Sequence, residues 1–333
     1  MVTLKDIAAE AGVSVMTVSR VVNGQLSKVS DANIQKIQKI IEKRGYVPSQ
    51  SARSLSSRSS KIIAIVAQGD GDILEYPYNA SMIGQIGSLI QKHGYSPMLY
   101  FASEYQGITK KLHAWNVDGA IFLGTFDENL EKIQSDNKIP LIFTDCYSPI
   151  RQITNVGLDD FKGGVMAARY LLKKGHTNLA FVGSSTDISG VVRQRLKGFA
   201  SVCTEAGYRL SAEQVLPDAP TLPALKTLCS GSHPVTAFFA SADRLAITLM
   251  RQLHELGFRV PQDCSIIGFD DLPTSSYITP SLTTIRQDIH LKAETAVDLL
   301  FRHIANAKAP AENIILDVQL IERESVSSLP PDR

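Results

Sequence analysis

The chain has 333 residues, 44% of them hydrophobic and 20% charged, with a formal net charge of +1. That length and balance suit two or three domains with buried cores and exclude a disordered or low-complexity chain. There is no run of about 18 apolar residues to span a membrane, and the N-terminus "MVTLKDIAAEAG" carries Asp6 and Glu10 where a secretory signal needs an apolar stretch.

Charge is uneven. Nine Lys/Arg stand against four Asp/Glu before Lys61, so the head carries +5 and the remainder −4. A basic head on an acidic body points either to a polyanionic partner for the head or to an ordinary solvated surface.

The head reads as three helices. In "TLKDIAAEAG", Leu4, Ile7, Ala8 and Ala11 recur at helical spacing. Thr3 and Asp6 have the spacing of a capping box, and Gly12 is placed to end the helix. Ser14 can cap a second helix, "VSVMTVSRVVN", with Val18, Val21 and Val22 facing inward. Ser30 is expected to cap a third helix with Ile34, Ile37, Ile40 and Ile41 on its inner stripe and Gly45 at its end.

Helix, Gly-containing turn, helix and supporting helix is helix-turn-helix geometry, although a purely structural three-helix head reads the same way. In a DNA reader, Arg20 could contact guanine, and Val15 and Met16 could lie against thymine methyl groups. Thr17, Ser19 and Asn23 suit phosphate contacts. The serine-rich stretch "YVPSQSARSLSSRSSK" follows as a linker, either a flexible tether or a segment that orders only on a partner.

From Lys61 the pattern changes to α/β. Seven runs predict strands: "KIIAIVAQ", "SPMLYFAS", "VDGAIFLG", "IPLIFTD", "LAFVGS", "VTAFFAS" and "CSIIGFDD". Between them lie helical stretches such as "MIGQIGSLIQKHG", "GGVMAARYLLKKG", "RLKGFASVCTEAG", "DRLAITLMRQLHELG" and "HLKAETAVDLLFRHIA". This alternation specifies parallel sheets with helices on both faces. The strands outnumber those of one sheet, so two lobes are expected, with a cleft at the carboxyl ends of the strands. Cys146, Cys203, Cys229 and Cys264 are far apart without a CxxC pair and read as buried thiols of a reducing cytoplasm.

The head text "TLKDIAAEAGVSVMTVSRVVNG" with "GYVPSQSARSL" resembles the LacI/GalR-type family of bacterial transcription regulators. "VGLDDFKGGVMAARYLLKKGHTNLAFVG", "RLKGF", "FFASADRLAI", "VPQDCSIIGFDDLP", "PSLTTIRQD" and "LDVQLIERESV" resemble that family's body motifs, in family order. The resemblance implies a helix-turn-helix head over residues 1–47 and a hinge helix over 48–60. The remainder, 61–333, would be a two-lobed, periplasmic-binding-protein-like body that binds an effector and dimerises.

It implies double-stranded operator DNA as partner, touched by Thr3, Ser14, Val15, Met16, Thr17, Ser19, Arg20 and Asn23. Ser51 and Arg53 of the hinge helix would touch backbone, with Leu55 as a minor-groove wedge, in keeping with apolar wedges that open a base step. Tyr78, Asp145, Arg195, Asp270 and Gln287 would hold a small-molecule effector. A sugar or sugar derivative is preferred and a nucleobase or nucleoside is the alternative. Tyr76 and Asn79 accompany Tyr78 where the family carries aromatic residues.

Three stretches depart from the family text: "GDGDILEYPYN", Ala242-Asp243 and Lys292-Ala293. Asp243 is expected to cap its helix. The lobe carrying "MIGQIGSLIQKHG" and the helix over Leu291–Ala305 is expected to make the dimer contact. "SSLPPDR" follows the last strand without leucine heptads, so a homodimer is expected.

The resulting expectation is a cytoplasmic, ligand-responsive DNA-binding regulator, a repressor of carbohydrate-utilisation genes on a pseudo-palindromic operator. Whether ligand induces or co-represses is left open. A soluble sugar-binding protein fits the body but leaves the basic head unexplained. An α/β enzyme is disfavoured: HExxH, GxSxG, Walker A and GxGxxG motifs are absent, and His176 reads as a loop residue. No cofactor or metal is expected.

Overall fold

The computed structural model describes residues 2–47, 59–102, 107–124, 130–146, 153–183 and 190–329. The chain divides into two compact units, Met1–Lys61 and Ile62–Arg333.

The first unit holds helices α1 (Leu4–Ala11), α2 (Val15–Val22) and α3 (Asp31–Arg44). Thr3 and Asp6 form the expected capping box. The Thr3 N–H and hydroxyl both donate to Asp6 Oδ2 at 2.8 Å, and Asp6 N–H donates back to Thr3 Oγ1. Gly12 ends α1 at φ 65°, a left-handed conformation that glycine adopts without steric cost. Ser14 Oγ accepts from Thr17 N–H at 3.1 Å and starts α2. Ser30 occupies the N-cap of α3, but its side chain makes no capping bond. Ile7, Val18 and Ile37 are fully buried at the centre, with Ala8, Ala11, Val21 and Ile40 around them. Val22, Ile34 and Ile41 are partly buried against that core. Glu10 pairs with Arg44 at 2.7 Å and with Lys43 at 3.4 Å, tying the end of α3 to α1.

The second unit contains two six-stranded sheets. The first lobe's sheet has the order β11-β5-β4-β3-β1-β2, all parallel. These strands are β1 (Ile62–Gln68), β2 (Ser96–Ala102), β3 (Gly119–Leu123), β4 (Leu141–Thr144), β5 (Thr154–Leu158) and β11 (Asn313–Leu316). The second lobe's sheet has the order β12-β10-β9-β8-β6-β7, parallel except where β12 runs antiparallel to β10. Its strands are β6 (Leu179–Val182), β7 (Val215–Leu216), β8 (Ala237–Ala240), β9 (Ser265–Asp270), β10 (Thr283–Arg286) and β12 (Gln319–Ile321). Central strands such as β3, β8 and β9 are buried along their whole length because helices cover both faces, which is why they read as continuous apolar runs.

On the first sheet, α4 (Pro77–Lys92) and α12 (Ile289–Ala305) share one face, while α5 (Ile108–Ala114) and α6 (Leu130–Ser135) cover the other. On the second sheet, α7 (Asp160–Lys173) and α8 (Gly190–Glu205) cover one face and α9 (Leu222–Ser230) and α10 (Asp243–Glu255) the other. A short helix, α11 (Thr274–Tyr277), follows β9. The chain passes between the lobes after β5, after β10 and after β11. The first and third passages are joined by Asp159 N–H donating to Leu316 O at 3.0 Å.

All four cysteines are buried and free. Cys229 and Cys264 lie with their sulfurs 3.7 Å apart, a proximity their spacing of 35 residues could not reveal.

Candidate functional site

In the head, α2 presents two faces. Val18 and Val21 are buried, while Val15 and Met16 are 41% and 64% exposed. Such large apolar side chains held in the solvent at the first turn of a helix contribute nothing to the head's own core. Thr17, Ser19 and Arg20 are half-buried and Asn23 is exposed. Ser14 and Thr17 share a hydroxyl hydrogen bond at 2.9 Å, and Asn23 Nδ2 donates to Ser19 Oγ at 3.2 Å. The Arg20 guanidinium makes no ion pair among the described residues. Thr3 is committed to its capping box at the start of α1. Ser51, Arg53 and Leu55 of the expected hinge helix lie outside the described residues.

In the body, a cavity of about 310 Å³ opens between the lobes at the carboxyl ends of both sheets. Tyr78, Asp145, Arg195, Asp270 and Gln287, the five residues singled out in the sequence, all line it. Tyr76 and Asn79 line it as well, and Asn79 Nδ2 donates to the Ile73 carbonyl at 3.4 Å.

Asp145 and Asp270 sit at the ends of β4 and β9 with φ of 56° and 121°. Such backbone costs on the order of 1–3 kcal/mol per non-glycine residue and is typical of side chains aimed into a site.

Arg195, on α8, is 5% exposed. Its Nε donates to Asp160 Oδ1 at 2.7 Å and its Nη1 to the Ser241 carbonyl at 2.6 Å. Asp270 Oδ1 is 4.0 Å from Nη1, and the guanidinium lies 3.4 Å over the Phe269 ring. Gln287 Nε2 donates to Asp270 Oδ1 at 2.5 Å, while Gln287 Oε1 is buried without a hydrogen-bond partner among the described residues. Burial pushes the Asp270 carboxyl up to about 7, against the opposing pull of Arg195.

On the first lobe's wall, the ammonium of Lys292 is wholly buried. It donates to Asp145 Oδ1 at 2.5 Å, to Asp145 Oδ2 at 2.6 Å and to the Tyr78 hydroxyl at 2.8 Å. The Tyr78 hydroxyl donates to Asp145 Oδ2 at 3.3 Å. Burial, and then the Asp145 charge, hold that phenol well above its ordinary range. At the mouth, Arg244 of α10 lies 4.6 Å over the ring of Tyr76 from the opposite lobe.

Two residues behave differently from expectation. Asp243 does not cap α10: Ala242 holds the N-cap position with no side-chain bond. Asp243 instead faces inward, fully buried, accepting from Leu272 N–H at 2.9 Å, Ser275 Oγ at 2.6 Å and Thr284 Oγ1 at 2.5 Å. It therefore ties α10 to the segment after β9 and to β10, and burial pushes its carboxyl up to about 6. Lys292, noted in the sequence only as a departure, stands behind the site's wall, where it holds the lining residues Asp145 and Tyr78. Asp160 was also missed, and its signal was the doubled acid in "LDDFKGG". Asp159 caps α7 by accepting from Lys162 N–H at 2.9 Å, which leaves Asp160 to turn inward to Arg195.

The described residues contain no group of three or more potential metal ligands and no helix long and apolar enough to cross a membrane.

Comparison with known proteins covers nearly the whole chain. Residues 3–49 match the family model "Bacterial regulatory proteins, lacI family", and residues 168–326 match a "Periplasmic binding protein-like domain". The chain is 32% identical to the HTH-type transcriptional repressor PurR of Edwardsiella ictaluri, over 99% of this chain and 98% of the relative. It is 30% identical to the HTH-type transcriptional regulator MalR of Clostridium butyricum, over 97% of this chain and 98% of the relative. Among solved structures, the Lac repressor dimer bound to operator and the anti-inducer ONPF is similar with a TM-score of 0.84 at 26% identity, covering 98% of this chain and 99% of that one. A transcriptional regulator CelR–cellobiose complex is similar with a TM-score of 0.72 at 26% identity, covering 98% of this chain and 100% of that one.

Proposed function

The chain belongs to the lacI family of bacterial regulatory proteins and is a ligand-responsive DNA-binding transcriptional regulator, and we propose that it acts in the cytoplasm as a homodimeric repressor of carbohydrate-utilisation genes. Two heads read the half-sites of a pseudo-palindromic operator, with α2 in the major groove. Val15, Met16 and Arg20 meet base edges, and Ser14, Thr17, Ser19 and Asn23 meet the sugar-phosphate backbone, where contacts position without specifying. Residues 48–60 form the hinge, with Leu55 as the wedge. Catalysis has no place in this reading.

The observation that carries the sensor half of the proposal is the cavity itself. Its walls come from both lobes, and Gln287 belongs to one of the three passages between them. A ligand bridging Arg195 and Asp270 on one side and the Tyr78 wall on the other binds the closed arrangement better than an open one. That differential is what couples a ligand to a second site. The bound cellobiose of the CelR neighbour supports a sugar as the ligand class. The shared face of α4 and α12 is where we place the dimer contact.

The test is an operator-binding measurement on the full chain, with DNA from its own gene neighbourhood, repeated across a panel of sugars and nucleosides. A salt-sensitive preference for a palindrome, altered by one of these compounds, is the expected result. Binding that ignores sequence overturns the regulator assignment to this operator. Binding that ignores every compound overturns the sensor.

A further inference from the structure

The charges around the cavity carry an inference about the ligand that rests on the reading of this cavity as the effector site. On and behind its walls, the two inner cations are matched on the protein itself. Lys292 is closed onto both oxygens of Asp145, and Arg195 is held by Asp160 with Asp270 beyond it. At the mouth, Arg244 lies over the Tyr76 ring, and the carboxylate of Asp218 lines the same cavity. Among the described residues, three cations therefore stand among four carboxylates, and burial favours the neutral form of one of these, Asp270. Gln287 Oε1 is a buried acceptor without a donor among the described residues.

We infer that the effector is an uncharged, hydroxyl-bearing molecule, a free sugar or nucleoside rather than a sugar phosphate, sugar acid or nucleotide, and that the buried Lys292–Asp145 pair is the residue pair that imposes this choice. An anionic group entering the cavity would leave water for walls whose inner cations, Lys292 and Arg195, are already paired with carboxylates. Burying a charge without a partner is strongly unfavourable. A hydroxyl loses far less water and can donate to Gln287 Oε1 and to Asp270. The Lys292 ammonium also fixes the Tyr78 hydroxyl, so the first lobe's wall is shaped as well as neutral.

The test uses matched probes on the full chain: glucose, glucose 6-phosphate and glucuronate; cellobiose; adenosine and its monophosphate. Melting temperature and operator affinity are read for each. A neutral member should raise the melting temperature while its anionic partner does not. An anionic probe that outperforms its neutral partner and also shifts operator affinity overturns the charge inference and leaves the sensor reading standing. A panel that moves neither readout overturns the sensor reading, and this inference with it.

The second arm is a gain of function. Asp145→Asn frees the Lys292 ammonium, so the folded variant should bind glucose 6-phosphate or glucuronate at least about tenfold more tightly than the wild type. Asp145→Asn with Lys292→Met removes both charges and should not show that gain. If Asp145→Asn melts cooperatively and gains nothing for either anion, the pair does not set the charge preference.

Discussion

Gly164 and Gly198 bring α7 and α8 together backbone to backbone. A Cβ on Gly164 would lie 2.0 Å from the Arg195 carbonyl oxygen, and a Cβ on Gly198 would lie 2.0 Å from that of Phe161. This closeness sets the position of α8, which carries Arg195 into the cavity. Gly198→Ala cannot be accommodated by a rotamer change, because the atoms it meets are backbone. The expected outcome is a body destabilised by about 1–3 kcal/mol or more, since overpacking forces the helices apart. Ligand response should fall further than stability alone explains. Melting curves with and without ligand check this, and an unchanged ligand-induced shift at Gly198→Ala counts against the role of this contact in placing Arg195.

Much of this architecture was legible because its signals are local. The Thr3–Asp6 capping box, the Gly12 and Gly45 helix ends and the valine stripe of α2 each depend on residues within one or two turns. The central strands announced themselves as apolar runs because both of their faces are covered. Strand β7 was missed at two residues, and α5 and α6 at seven and six, lengths too short to display a period.

The cleft's place at the strand ends was legible in the α/β alternation, but the residues lining it were legible only through resemblance, because its partners are far apart in the chain. Lys292 meets Asp145 across 147 positions, and Asp243 meets Thr284 across 41. A capping reading of Asp243 was the natural local one. It failed because buried hydroxyls of Ser275 and Thr284 offer the carboxylate better partners than the helix end does. Ser30 fell short in the same way: position alone does not make a cap without the bond.

Asp270 gives the body a pH signature. Burial raises its carboxyl from the ordinary 3.8 to about 7, with Arg195, Asp243, Gln287 and Asp160 as the facing groups. Folding therefore favours the protonated form. The stability it supplies is complete below about pH 4 and is lost as the pH rises through about 7. Asp243, raised to about 6, works in the same direction. Between about pH 8 and about pH 5, the melting temperature of the wild type should rise more than that of Asp270→Asn, which retains only the Asp243 component. Parallel pH profiles for the two proteins would mean that Asp270 is ionised throughout.

The separation into two units predicts separable damage. Ile37 is fully buried in the head's own small core. Ile37→Ala should cost roughly 2–5 kcal/mol there, a large share of what so small a unit can have. Operator binding should collapse while ligand binding by the body, read calorimetrically, stays within about twofold of the wild type. Loss of both activities together would show that the body depends on an intact head.

Arg20 and Leu55 should fail in different ways. If α2 reads bases as proposed, Val15 and Met16 can offer only apolar contact, so hydrogen-bonded readout rests on Arg20. Arg20→Ala should cost about 1–3 kcal/mol on the preferred operator and less on operators substituted at one symmetric pair of positions, flattening base preference there. On the proposed reading, Leu55→Ala removes an apolar wedge rather than a reader. It should weaken binding to all operators by a similar factor and reduce the bend seen by gel mobility of circularly permuted fragments, since the wedge stabilises the kinked duplex. Met16→Ala belongs with Arg20: replacing thymine by deoxyuridine in the operator, which removes only the methyl group, should weaken the wild type but leave Met16→Ala nearly unaffected. If Arg20→Ala and Leu55→Ala give the same profile across a panel of operators, base reading and bending are not divided between α2 and the hinge.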